Sequence, residues 1–214
     1  IIIGGHADKG VLSGGGSSQV YPVGGMAVPN EGPNDFPGPM VYYPSSPMKE
    51  LQKLTKAQIT FYDGKDINKA AELAKKADVA IVFGNQWTGE SVDVTNLNLQ
   101  NNADALIDKV ASNNSNTIVV LQTGGPVIMP WLDKAGAVLE AWYPGTSGGA
   151  AIARVLSGAV NPSGALPASF VQSIDQLPRP KLGGDEVGGG AVVAAVDLAR
   201  AEDAGAGDVV HPGG

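Results

Sequence analysis

Ala80-Ile-Val-Phe-Gly-Asn-Gln-Trp-Thr-Gly-Glu-Ser-Val-Asp93 begins as an unbroken apolar run and ends as a polar loop. Val79 to Phe83 is expected as a buried strand that stops at Gly84. A strand apolar on both faces belongs inside a parallel sheet covered on both sides. In open sheets of that kind ligands lie beyond the carboxyl ends of the strands, so the loop after Gly84 is the expected seat of chemistry. It offers an aromatic ring, Trp87, and two carboxylates, Glu90 and Asp93. Loops rich in Asn, Gly and Thr can equally carry solvated acids with no role, and the loop alone leaves both readings open.

The pattern repeats outward from this strand. Ile1 to Ile3 reads as a strand ended by Gly4-Gly5, Gln58 to Tyr62 as a second, Thr117 to Leu121 as another, and Ala137 to Trp142 as the last. Between them, helices are expected over Ser46 to Leu54, from a cap at Asp66 through Lys76, over Asn101 to Ser112, as a short piece over Val127 to Lys134, and over Ser147 to Ser157. Apolar strands alternating with helices of about ten residues define an α/β fold. The expectation is a doubly wound, mostly parallel sheet of five or six strands sandwiched by helices, in a flavodoxin-like layout. Tyr21 to Pro47, rich in Pro and Gly without periodicity, is expected as an irregular excursion. Residues 1–182 form the expected domain. Residues 183–214 form a Gly/Ala-rich tail in which Ala191 to Ala204 is expected as a helix, weakly ordered unless it docks on a partner.

Composition narrows the function. The 214 residues carry a net charge of −7, with 16% charged and 43% hydrophobic residues. An acidic chain without basic clusters is a poor partner for nucleic acid or an anionic membrane. No apolar run approaches the ~20 residues that span a bilayer. With no cysteine, disulfides, zinc–thiolate sites and cysteine nucleophiles are excluded. No His pair or carboxylate cluster has metal-ligand spacing, so no metal or cofactor is expected. His6 and His211 are the only histidines, and His6 is expected to be structural or solvated. Gly14-Gly-Gly-Ser-Ser18 lets backbone approach a ligand closely while Ser17 and Ser18 offer hydroxyls, but it matches neither a phosphate loop nor a dinucleotide fingerprint. Gly145-Thr-Ser-Gly-Gly149 precedes a helix that could hold an anion, yet no ribose-binding acid follows at the required spacing. The chain opens on Ile1 with no basic n-region, so no signal peptide is expected and a longer parent is.

Seven stretches combine in order: Gly4-Gly-His-Ala-Asp8, Leu12-Ser-Gly-Gly-Gly-Ser-Ser-Gln-Val20, Gly89-Glu-Ser-Val-Asp93 with Leu97-Asn-Leu99, Val119-Val-Leu-Gln-Thr-Gly-Gly-Pro126, Met129-Pro-Trp131, Ala141-Trp-Tyr-Pro-Gly145 and Asn161-Pro-Ser-Gly-Ala-Leu-Pro167. Together they resemble the α/β-sandwich domain of glycoside hydrolase family 3, the β-glucosidase and exo-β-glucanase family, from Ile1 to about Pro180. The resemblance implies a retaining β-glycosidase acting on β-linked glucosides or oligosaccharides, in a periplasmic or secreted setting. It implies that a TIM-barrel domain, in the same parent chain or a separate subunit, carries the nucleophilic Asp, while Glu90 is the general acid/base. A general acid needs a raised pKa, for which burial against Trp87 and a bound sugar is the expected cause. Asp93 is then an orienter or an acceptor for a sugar hydroxyl. Gly15, Gly16, Ser17 and Ser18 border the aglycone side, and Trp87 either stacks on a sugar or packs. No barrel is present, so this chain alone is expected to be inactive. A non-catalytic sugar-binding or assembly module on the same fold is the competing reading, and homo-oligomerisation is left open.

Overall fold

A computed structural model describes residues 1–17, 19–29 and 31–180. Ser18, the domain boundary at residue 182 and the tail of 183–214 with its expected helix lie outside the described residues. Among the described residues seven strands form two sheets. The larger holds β1 (Ile2–Ile3), β4 (Phe61–Tyr62), β5 (Ala80–Gln86), β6 (Thr117–Thr123) and β7 (Ala137–Glu140). They lie in the order β4-β1-β5-β6-β7, every pairing parallel. Counted within this sheet alone, the order is the 2-1-3-4-5 of a flavodoxin-like fold, and it reverses between β1 and β5. The expected doubly wound α/β fold is present, with five strands in its main sheet among the described residues.

Side-chain alternation along β5 shows why two helical layers are needed. Ala80 and Val82 face a core shared with Ile3, Ala70, Ala74, Leu106, Ile107, Val110 and Val119. Ile81 and Phe83 face the opposite core with Ile2, Leu51, Val120, Ile152 and Ala153. Accordingly α2 (Ile67–Ala74) and α3 (Ala103–Ala111) cover one face, α1 (Pro47–Leu54) and α4 (Gly148–Leu156) the other. Local chemistry starts two of these helices. The Ser46 hydroxyl accepts from Lys49 N–H at 3.1 Å ahead of Pro47, and Asp66 accepts from Lys69 N–H at 3.0 Å.

Three expectations need correcting. β5 does not stop at Gly84. It continues through Asn85 and Gln86, whose backbones pair with Gln122 and Thr123 of β6. The nitrogens of their buried amides find partners: Asn85 Nδ2 donates to the Tyr42 hydroxyl at 3.3 Å and Gln86 Nε2 to the Asn98 carbonyl at 3.2 Å, while Asn85 Oδ1 is buried without a partner among the described residues. Val127 to Lys134 is not a helix, only a single 3₁₀ turn over Leu132–Lys134. Pro130 has no N–H to donate, and Trp131 is drawn inward, fully buried, with Nε1 donating to Asp104 Oδ1 at 2.8 Å.

The third correction concerns the excursion. Part of it is ordered by an antiparallel pair, β2 (Val11–Leu12) with β3 (Tyr42–Tyr43), in register Val11↔Tyr43 and Leu12↔Tyr42. His6 fastens the same region. Its Nε2 lies 2.8 Å from Glu31 Oε1 and its ring meets Tyr42 edge-on at 4.9 Å, which is a structural role.

Candidate active site

The loop after β5 and the glycine-rich loop after β2 meet at the carboxyl end of the sheet, beside the switch between β1 and β5. Gly15 N–H donates to the Thr88 carbonyl at 2.9 Å, and Glu90 N–H returns a bond to the Gly15 carbonyl at 3.1 Å. These bonds make a single parallel bridge between Gly15 and Gly89. The two sequence-predicted loops therefore form one rim. It borders an open cleft of about 630 Å³, lined among others by Ser13, Ser17, Tyr43, Thr88, Glu90 and Tyr143.

Glu90 stands exposed on this rim. Its Oε2 accepts from Ser17 N–H at 2.7 Å and from the Ser17 hydroxyl. Those bonds favour the charged form, so Ser17, side chain first and then backbone, holds the Glu90 carboxyl below its ordinary value. Burial against Trp87, one of the two expected causes of a raised carboxyl beside a bound sugar, is thus not what acts on Glu90 here. Desolvation opposes the lowering only as the smallest of the causes, and the two Ser17 donors that stabilise the anion outweigh it.

Of the two alternatives left open for Trp87, stacking on a sugar or packing, the structure has it packed. It is buried with Leu12, Val28 and Tyr42, and forms the floor under the rim rather than an open stacking plate. Gly15 is what allows this, since a Cβ there would stand 2.4 Å from Trp87 Cζ2. Gly16 has φ +95°, and a Cβ there would stand 2.3 Å from the Cβ of Glu90. Gly16→Ala should therefore cost more than ~1 kcal/mol and push Glu90 off Ser17. Urea unfolding together with the Glu90 carboxyl titration checks this, and an unchanged titration would show that the close approach is not what seats Glu90. Asp93 is exposed and is not among the residues lining the cleft, so the structure does not bring it to Glu90.

Two residues of the site region were missed by sequence reasoning. Tyr143, in the turn after β7, receives Thr88 N–H at 2.8 Å and donates its hydroxyl proton to the Gln86 carbonyl at 2.8 Å. Burial pushes its phenol up, so it remains a donor. Glu140, the last residue of β7, is pushed up to about 7 by burial, against the opposing bonds from Trp142 N–H and Thr123. The only available signal was an acid at the end of an apolar run, the same signal that singled out the loop after β5. Among the described residues no group of three or more His, Asp or Glu could hold a metal ion. No helix among them is long and apolar enough to cross a membrane.

An α/β sandwich with a carboxylate-bearing rim at its switch point is thus the class defined by fold and site. The family described as the glycosyl hydrolase family 3 C-terminal domain matches residues 1–196. The chain belongs to that family and is a glycosidase-associated domain. Beta-glucosidase B of Emericella nidulans is 47% identical over 117 residues, 52% of this chain and 14% of that protein. Thermostable beta-glucosidase B of Acetivibrio thermocellus is 43% identical over 115 residues, 52% of this chain and 15% of that protein. Among solved structures, a beta-glucosidase from Kluyveromyces marxianus in complex with glucose superposes with TM-score 0.52 and 37% identity, covering 56% of this chain and 15% of that one. The beta-D-glucoside glucohydrolase of Trichoderma reesei superposes with TM-score 0.63 and 26% identity, covering 88% of this chain and 28% of that one. The matched part of this chain thus spans a minor share of each of these multidomain relatives.

Proposed function

We propose that this chain supplies the general acid/base, Glu90, and part of the sugar site to a retaining β-glycosidase acting on β-linked glucosides or oligosaccharides. The observation that carries this reading is the exposed Glu90 carboxyl on the rim of an open cleft, held by Ser17 and by no ion pair among the described residues. Retaining hydrolysis needs two carboxyl groups about 5–5.5 Å apart. Among the described residues that line this cleft, Glu90 is the one carboxyl. The nucleophile then belongs to a TIM-barrel domain, of the same parent chain or of a separate subunit, that closes over the rim. Ser17, Gly15 and Gly16 shape the aglycone side in this reading.

The lowered pKa of Glu90 keeps the carboxyl ionised in the open state, the form a general base requires. Closure by a barrel and a sugar desolvates the carboxyl and raises it into the range where it can protonate a leaving oxygen. The same lowering favours a second reading, a sugar-binding or assembly module without catalysis. Hydrolysis of an aryl β-glucoside by the 214-residue chain, with and without the barrel domain of a family member, separates the two. No turnover alone and turnover together is expected. No turnover in either arm, with glucose still bound, would leave the module reading standing.

A further inference from the structure

We infer that Glu140 is a positioning residue for the Glu90 rim: from the end of β7 it holds the Trp142–Tyr143 turn, and Tyr143 in turn carries the loop on which Glu90 stands. Glu140 Oε1 accepts from Trp142 N–H at 2.7 Å, and Oε2 lies 3.2 Å from the Thr123 hydroxyl at the end of β6. Trp142 has φ +52°, a left-handed conformation uncommon for a bulky aromatic residue, so something must hold it. The bond to its own N–H is that hold. The turn so fixed projects Tyr143 beneath the rim, where its hydroxyl binds Gln86, Thr88 N–H and, at 3.0 Å, Thr88 Oγ1. Thr88 then accepts from Gly15, which accepts from Glu90 N–H. The chain of contacts from Glu140 to Glu90 is unbroken.

The same carboxyl titrates near neutrality, being pushed up to about 7 by burial. Few other groups compete for it. Thr123 faces it from β6, while Trp142 N–H and the Tyr143 phenol face it from its own turn. Among the described residues no Lys, Arg or His forms an ion pair with it. Ionisation of Glu140 strengthens its acceptance from Trp142 N–H, so the hold on the turn tightens as pH rises through neutrality.

The inference rests on the reading that Glu90 is the working carboxyl. Its test reads the environment of that carboxyl by NMR on the intact chain, not hydrolysis. In wild type the amides of Trp142 and Thr88 should shift with one shared midpoint near pH 7. Glu140→Gln, which keeps an acceptor for Trp142 N–H but cannot ionise, should lose that step while leaving Glu90 titrating below the ordinary carboxylate range. Glu140→Ala should release the rim and return Glu90 to the ordinary range. A wild-type chain without the shared step overturns the inference, as does Glu140→Ala with an undisturbed Glu90 titration. Should Glu140→Ala fail to fold, the wild-type titration and Glu140→Gln decide the matter by themselves. A barrel-reconstituted enzyme that does not hydrolyse, with this coupling intact, would count against the proposed function alone.

Discussion

Glu90→Gln should leave the chain folded and, once the barrel domain is supplied, lower turnover of a glucoside with a poor leaving group about 10²- to 10⁴-fold. The fold should survive because Glu90 is exposed and its amide replacement still accepts from Ser17 N–H. The loss should depend on the leaving group. An alkoxide cannot depart without a proton, whereas an activated phenolate can, so the glycosylation step should suffer far less with an activated aryl glucoside. The basic limb of the pH profile should move with the change, because it reports the group that must be protonated in the closed complex. Kinetics of the reconstituted pair on both substrate types checks this. Unchanged turnover of the poor-leaving-group substrate by the variant would falsify the assignment of Glu90.

Trp131→Ala should cost about 3–5 kcal/mol of stability, the range for truncating a fully buried Trp. Trp131 is wholly buried in the core between the sheet and α2–α3. Its loss removes packing and also strips Asp104 Oδ1 of its donor. Burial already pushes the Asp104 carboxyl up, and the bonds from Trp131 and Leu99 are what oppose that burial. The other oxygen of Asp104 accepts from Leu99 N–H at 2.9 Å, so the indole also anchors the far end of the site loop. That end is tied to the sheet by Gln100 N–H on the Asn85 carbonyl at 2.9 Å, and Gln100 Oε1 receives Trp87 N–H at 2.9 Å. Trp131→Phe keeps much of the volume and should cost distinctly less. Urea unfolding of both variants is the measurement, and an alanine cost below about 1 kcal/mol would show that Trp131 is dispensable to this core.

How far the sequence leads depends on whether a residue's environment is local. The strands of the main sheet were legible because Val82, Val119 and their neighbours are apolar on both faces, a pattern only a doubly covered parallel sheet explains. Glu90 and Gly15–Ser17 were legible as candidates through glycine spacing and family resemblance, and the structure does join them. The direction of Trp87 was not legible, because a tryptophan in a polar loop gives no hint of which face it turns to. Its burial follows from Gly15, more than 70 residues earlier, leaving room for the ring. The β2–β3 pair was hidden for a similar reason: two residues per strand carry no periodicity, and what lies between them is turn-forming. Glu140 and Tyr143 were missed because their roles arise from hydrogen bonds to β6 and to the loop after β5. Those partners are distant in sequence, so neighbouring residues do not announce them.

The bond from Ser17 to Glu90 spans 73 residues of sequence. A contact of that range brings its loop-closure entropy with it, and it becomes favourable only once β1 and β5 already lie side by side. The cleft is therefore a late product of folding, assembled after the sheet and dependent on it. A nascent chain holds Glu90 in an unorganised segment until the central strands have paired, so the carboxylate proposed as the acid/base is withheld from Ser17 until its scaffold is complete.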